Sequence, residues 1–210
     1  MSWIDITMPL HNSIAHWHGD TPFSYKLSAP MSETGSVNIG ELTTSTHTGT
    51  HADAPFHYRE DGAKIDELPL DRFIGQATVI SAIGTETINR SLLENYQLTG
   101  VERLLIKTKN KTNHSTFPDV YPYVTEDGAR YLHEVGVKLL AVDVPSVDPM
   151  TSKELNGHHG LDRAGIFIIE NVLLDHVQPG LYEFIALPLR VKGGDGSPVR
   201  AVIKPLEVYS

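Results

Sequence analysis

His47-Thr48-Gly49-Thr50-His51-Ala52-Asp53-Ala54-Pro55-Phe56-His57 is the stretch from which fold and chemistry are read outward along this 210-residue chain. In an extended segment successive side chains alternate faces, so positions 47, 51, 53 and 57 point the same way. Gly49 and Pro55 hold intervening odd positions and add no competing polar group. One strand face then carries three imidazoles and a carboxylate, a donor set suited to a borderline cation such as zinc. A helical reading pairs only His47 with His51, and it fails on composition. Thr48, Gly49 and Thr50 are poor helix formers, Pro55 cannot occupy a helix interior, and no Glu follows His47. The bland alternative is a surface histidine-rich loop. The chain has 11 histidines, but chance rarely places this many donors in register.

Around this stretch, residues 37–46 alternate as a strand leading into the motif, and residues 3–6 read as a short strand. Residues 17–22 read as a loop and 63–73 as a short helix bounded by Pro69. Residues 76–83 and 103–108 read as strands, and 86–96 as a helix with Ile88, Leu92 and Leu93 inward. A polar loop spans 109–122, and loops of that length are often lids or partner contacts. Thr125 caps a helix running to Gly136, with Ala129, Leu132 and Val135 as its inner stripe. Residues 138–144 form a central strand, 154–164 a short helix holding His158 and His159, and 166–170 a buried strand. A long strand over 181–191, a turn at 193–196 and a returning strand over 199–204 complete the pattern. Helices alternate with strands in the middle while both ends are strand-rich. The expected fold is therefore α/β, a mixed sheet with flanking helices, as one domain over residues 1–210.

Composition narrows the function. The formal net charge is -9 and the pI about 5.6, with no Lys/Arg run, which disfavours a nucleic-acid partner. There is no cysteine, so disulfides, thiolate metal sites and Cys nucleophiles are excluded. The apolar runs are of strand length, so no membrane span is expected. Residues 1–13 lack the pattern of a signal peptide, and a cytoplasmic location is expected.

More ligands must come from elsewhere in the chain. Glu170 closes the apolar run Ile166-Phe167-Ile168-Ile169, where a buried carboxylate needs a counter-charge, unless it simply reaches solvent. His158 and His159 diverge by about 100° on a helix, so one of the two faces the site. Asp53 and Glu170 can each bridge two cations, and a water between such ions becomes a nucleophile near neutral pH. His57 lies beyond Pro55 and reads as a proton shuttle standing apart from the ligands, with a further ligand as the alternative. Trp17 offers a flat apolar face for an aryl ring, with a partly buried loop aromatic as the alternative. His16 and His18 flank it, while His11, His114, His133 and His176 read as structural or surface residues.

The run 47–57 resembles the H-x-G-T-H-x-D-x-P-x-H signature of the metal-dependent cyclase-like hydrolases. Residues 3–6, 15–23, 35–38 and 146–149 are similar to the bacterial kynurenine formamidases within that superfamily. The resemblance implies a swivelling β/β/α-like fold, a homodimer and two zinc ions per subunit. His47, His51 and Asp53 would hold the first ion, Asp53 would also touch the second, His158 would bind the second and Glu170 would bridge both. It further implies His57 as proton donor and acceptor, Trp17 as a substrate contact, and hydrolysis of an N-formyl arylamine, N-formyl-L-kynurenine. The rivals are a hydrolase of a small cyclic amide or ester, as in isatin hydrolases, and a non-catalytic protein with a closed structural metal site.

Overall fold

The computed structural model describes residues 2–206. The elements run β1 (Ile4–Asp5), β2 (Ser24–Ala29), α1 (Met31–Thr34), β3 (Ile39–Thr43), β4 (His51–Asp53), β5 (Ile74–Ser81) and β6 (Thr87–Ile88). They continue with α2 (Arg90–Leu93), β7 (Arg103–Lys107), β8 (Tyr123–Val124), α3 (Glu126–Val135), β9 (Leu139–Val142) and α4 (Asn156–Arg163). The last are β10 (Phe167–Glu170), β11 (Gly180–Ile185), β12 (Gly196–Pro198) and β13 (Val202–Pro205). A nine-stranded sheet has the order β1-β13-β11-β5-β7-β9-β10-β4-β12. Its middle, β5-β7-β9-β10, is parallel and its flanks are antiparallel, so the α/β mixed sheet expected from the sequence is present.

The central strands are apolar on both faces because both faces are covered. Val79, Leu105, Ala141 and Ile169 point to one side, where they meet Phe73 and Phe184. Leu104, Ile106, Leu140, Val142 and Ile168 point to the other, against Leu132 of α3 and Leu161 of α4. Thr125 accepts the Gly128 N–H at the start of α3, and Gly136 ends the helix in the left-handed conformation. Among the described residues no helix is long and apolar enough to cross a membrane.

Several local expectations are corrected. Residues 47–57 are not one ribbon: β4 alone is extended, with a turn before it and a short 3-10 turn, Pro55–His57, after it. The proposed helix over 63–73 is two 3-10 turns, Ile65–Glu67 and Leu70–Arg72, interrupted at Pro69. Residues 86–96 divide into β6 and the four-residue α2, because β6 pairs with β8 beside the seat of α3. The strand expected over 181–191 ends at Ile185, near Pro188. The turn at 193–196 does not close a simple hairpin, because β12 crosses to pair with β4 while β13 pairs with β11. The strand expected over 37–46 is β3, which joins the unexpected β2 in a separate two-stranded sheet.

Candidate active site

The site lies at the carboxyl end of β10, on the sheet face that carries α4, the end of a parallel sheet where ligands collect. His51 and Asp53 share a face of β4, as alternation requires. The Gly49 carbonyl accepts the Nδ1–H of His51 at 2.8 Å, which leaves Nε2 bare and facing inward. That Nε2 is 3.3 Å from Asp53 Oδ1 and 3.5 Å from Glu170 Oε2. His47 arrives by the turn before β4, where Gly49 adopts φ +66, a conformation glycine takes without steric cost. Its Nδ1 then lies 3.0 Å from Asp53 Oδ1.

Helix α4 supplies the next imidazole. Asp148 accepts the backbone N–H of Gly157 at 2.7 Å and of His158 at 3.0 Å, then the His158 Nδ1 at 2.6 Å. One carboxylate thus seats the first turn and aims the ring. His158 Nε2 ends 3.4 Å from Asp53 Oδ2 and 3.6 Å from Glu170 Oε1. Glu170 is held in turn by the Val147 N–H at 2.8 Å. His158 therefore reaches the cluster, while His159 turns toward Tyr58, with ring centroids 5.9 Å apart.

This arrangement fits a metal. His51 Nε2, Asp53 Oδ2 and His158 Nε2 are buried without a hydrogen-bond partner among the described residues. Each such atom costs about 1–3 kcal/mol, which a cation among them removes. Among the described residues three donor groups each bring their ligand atoms within 4.8 Å of one another: the half-exposed set His47, His57 and Asp195, and two fully buried sets, His47 with His51 and Asp53, and Asp53 with His158 and Glu170. The two buried sets share Asp53, and their nitrogen and oxygen donors suit a zinc-like ion.

Electrostatics point the same way. Burial opposes charge on Asp53, but the rings of His158, His47 and His51 carry its pKa well below the ordinary value. Burial and the Asp53 charge push Glu170 up. Burial opposes protonation of His47, yet Asp195 and Asp53 at its two ring nitrogens raise its pKa to about 10. Asp148 and Asp53 likewise outweigh burial at His158 and raise it to about 10. The cluster thus demands positive charge, and takes protons where cations are not bound.

His57 does not stand apart. The 3-10 turn after Pro55 lays its ring on that of His47, with centroids 3.8 Å apart. Partial burial holds its pKa below the ordinary histidine value, so the ring is neutral at pH 7. A cavity of about 370 Å³ opens over these groups, lined also by Trp17, Asp20, Ser146, Met150 and Asp195. Trp17 is braced from the 109–122 loop by Phe117, with ring centroids 5.1 Å apart. His16 and His18 are exposed beside the entrance and line a neighbouring surface groove.

Residues 4–149 match the family model described as putative cyclase. The kynurenine formamidase of Bacillus cereus (strain ATCC 10987 / NRS 248) is 53% identical over 204 residues, covering 97% of this chain and 98% of that protein. The chain belongs to the kynurenine formamidase family. The Bacillus anthracis member is 52% identical over the same share of both chains. A solved structure described as a potential metal-dependent hydrolase with cyclase activity superposes with a TM-score of 0.84 at 26% identity, covering 98% of both chains. Isatin hydrolase A from Labrenzia aggregata, with TM-score 0.85, 21% identity and coverage of 98% and 94%, shares the fold.

For this member of the kynurenine formamidase family, sequence reading overlooked Asp195, Asp148 and Tyr58. Asp195 lies 148 positions from His47, and its setting Gly193-Gly194-Asp195-Gly196 signals a turn and nothing more. Asp148 precedes His158 by 10 residues, a spacing with no meaning until α4 folds over β10. Tyr58 follows His57 directly, and its ring packs 5.2 Å from that of His158.

Proposed function

We propose that this chain hydrolyses N-formyl-L-kynurenine to L-kynurenine and formate, a step of tryptophan breakdown, as one hydrolase domain in the cytoplasm. The observation that carries the reading is a buried His/Asp/Glu cluster beside a neutral histidine and an aromatic wall, in a chain about half identical to enzymes named kynurenine formamidase. We assign His47, His51 and Asp53 to one zinc ion and Asp53 and His158 to a second, with Glu170 shared between the two sets, a reading supported by its 3.5 Å approach to His51 Nε2 and 3.6 Å approach to His158 Nε2. Bound there, zinc supplies a Lewis acid for the formyl oxygen and lowers the pKa of water to about 7. Trp17 holds the aryl ring against its indole face. His57, neutral at pH 7, takes the proton of the attacking water and passes it to the departing aniline nitrogen. The C–O bond forms first by addition to the formyl carbon; the C–N bond then breaks as the nitrogen takes the proton from His57, and formate leaves with the second water proton released to solvent, an arylamine needing modest help to depart.

A homodimer belongs to the same reading. The face of the β2–β3 hairpin formed by Tyr25, Leu27 and Leu42 is exposed to water within one chain, and a second copy would cover it. The deciding assay measures formate release from N-formyl-L-kynurenine before chelation, after chelation and after zinc is returned. Folded, zinc-loaded protein without turnover removes the substrate assignment.

A further inference from the structure

The turn ahead of β12 is fastened from several sides. Gly193 N–H donates to Asp66 Oδ1, Ile65 N–H to the Gly194 carbonyl and Ala54 N–H to the Asp195 carbonyl, each at 2.9 Å. The Asp195 side chain is therefore carried on a held backbone. Thr46 Oγ1 donates to Asp195 Oδ1 at 2.9 Å, which fixes the carboxylate plane. The other oxygen, Oδ2, lies 3.0 Å from His47 Nε2 and 3.9 Å from His57 Nδ1. Oδ2 thus hydrogen-bonds His47 and lies just outside hydrogen-bond reach of His57, whose ring stacks on that of His47 at 33°.

We infer that Asp195 is the positioning carboxylate of the site, ordering both the ligand ring of His47 and the proton-carrying ring of His57. The inference rests on the hydrolytic reading above. A carboxylate can only accept, so Asp195 takes the Nε2–H of His47 and leaves Nδ1 to face Asp53. Toward His57 it favours the tautomer with hydrogen on Nδ1, and Nε2 is then the atom free to carry the reaction's proton. Carboxylates that set imidazole tautomers in this way act without touching substrate. The His57 side chain is 33% exposed, so it has room to turn and close the remaining distance when substrate docks.

Asp195→Asn and Thr46→Val are compared with the parent in the zinc-loaded full chain on N-formyl-L-kynurenine. Asp195→Asn is expected to lower kcat by about 10–100-fold and to speed zinc loss to a chelator by a similar factor, the usual cost of removing such a partner. KM is expected to stay within about twofold, because the two Asp195 oxygens are already engaged by Thr46 and His47. Thr46→Val moves the same readouts in the same direction by less, and decides the matter if the Asn variant does not fold. Two-bond 15N NMR of the histidines reads the tautomer directly: Nδ1–H at His57 in the parent, a mixture in Asp195→Asn. Unchanged kcat, zinc retention and tautomer overturn the inference. So does a fall in kcat that excess zinc restores while the His57 tautomer stays as in the parent. If the parent itself fails on N-formyl-L-kynurenine, the substrate reading falls, and the tautomer and zinc-loss measurements still decide the role of Asp195.

Discussion

Glu170 of β10 lies directly opposite His51 of β4 in an antiparallel ladder, with Ile168 opposite Asp53. Cross-strand partners project from the same face, so this pairing sets a carboxylate from the last third of the chain beside two donors from the first third. Ile169, between Ile168 and Glu170, points into the opposite core. A slip of one residue would drive Glu170 into apolar packing and bring Ile169 to the site. The register is held by burial on both faces of β10, and the site inherits that precision.

Stripping the metal should make stability pH-dependent. His47 and His158 have pKa values raised to about 10 by carboxylates in the cation-free protein. A raised pKa stabilises the fold fully below the ordinary histidine value, and that contribution is lost as pH rises toward 10. Between pH 6.5 and 10 the Tm of chelated protein should fall relative to zinc-loaded protein by about 3 °C or more, the shift for roughly 1 kcal/mol in a domain this size. Differential scanning fluorimetry of both forms across this range is the check, and a constant gap contradicts the expectation.

His57→Ala should lower kcat by about 10²–10⁴-fold, the usual worth of a positioned acid or base. Its zinc content, by atomic emission, should match the parent. Loss of zinc instead would make His57 a ligand.

Gly157→Ala should destabilise the fold. An added Cβ would lie 2.5 Å from the Val147 carbonyl oxygen and 3.1 Å from Asp148 Oδ1, so the start of α4 must shift. Overpacking of this kind costs about 1–3 kcal/mol. Urea unfolding should show a lower midpoint, and zinc should bind more weakly because Asp148 and His158 move together.

Trp17→Ala should raise KM for N-formyl-L-kynurenine about tenfold, or roughly 1.4 kcal/mol of lost aryl contact. The KM for an N-formyl alkylamine should hardly change. Equal losses on both substrates would place Trp17 in the fold and not in recognition. Isatin in the same panel separates the two hydrolase readings.

Light scattering should give twice the 23.2 kDa chain mass in solution. Leu42, 58% exposed within one chain, should yield monomer when changed to Asp. A monomeric parent removes the dimer.

Alternation along residues 51–53 was legible in the sequence because β4 is a real strand, and it put His51 and Asp53 on one face. The same rule failed for His47 and His57, which a turn and a 3-10 turn bring in by different routes. Glu170 was legible because an ionisable group closing an apolar run is costly without a counter-charge. Helical spacing could not separate His158 from His159, since it says the two diverge but not which one faces the sheet; only the family resemblance pointed to His158, and α4 carries that ring to the cluster. Thr125 and Gly136 marked α3 correctly because capping is local chemistry, whereas β2 and the divided segment 86–96 depended on distant pairing partners.

By itself the sequence determined the donor inventory, the exclusion of sulfur chemistry, the strand-rich α/β class and the apolar runs that became β7, β9 and β10. These follow from side-chain chemistry and near-neighbour geometry, which need no tertiary context. The tertiary structure alone decided the ladder that joins Glu170 to His51, the seating of the His158 ring against Asp148, and the arrival of Asp195 at the imidazoles. Those are contacts between residues far apart in the chain, and nothing in a local pattern sets the strand order or register that creates them.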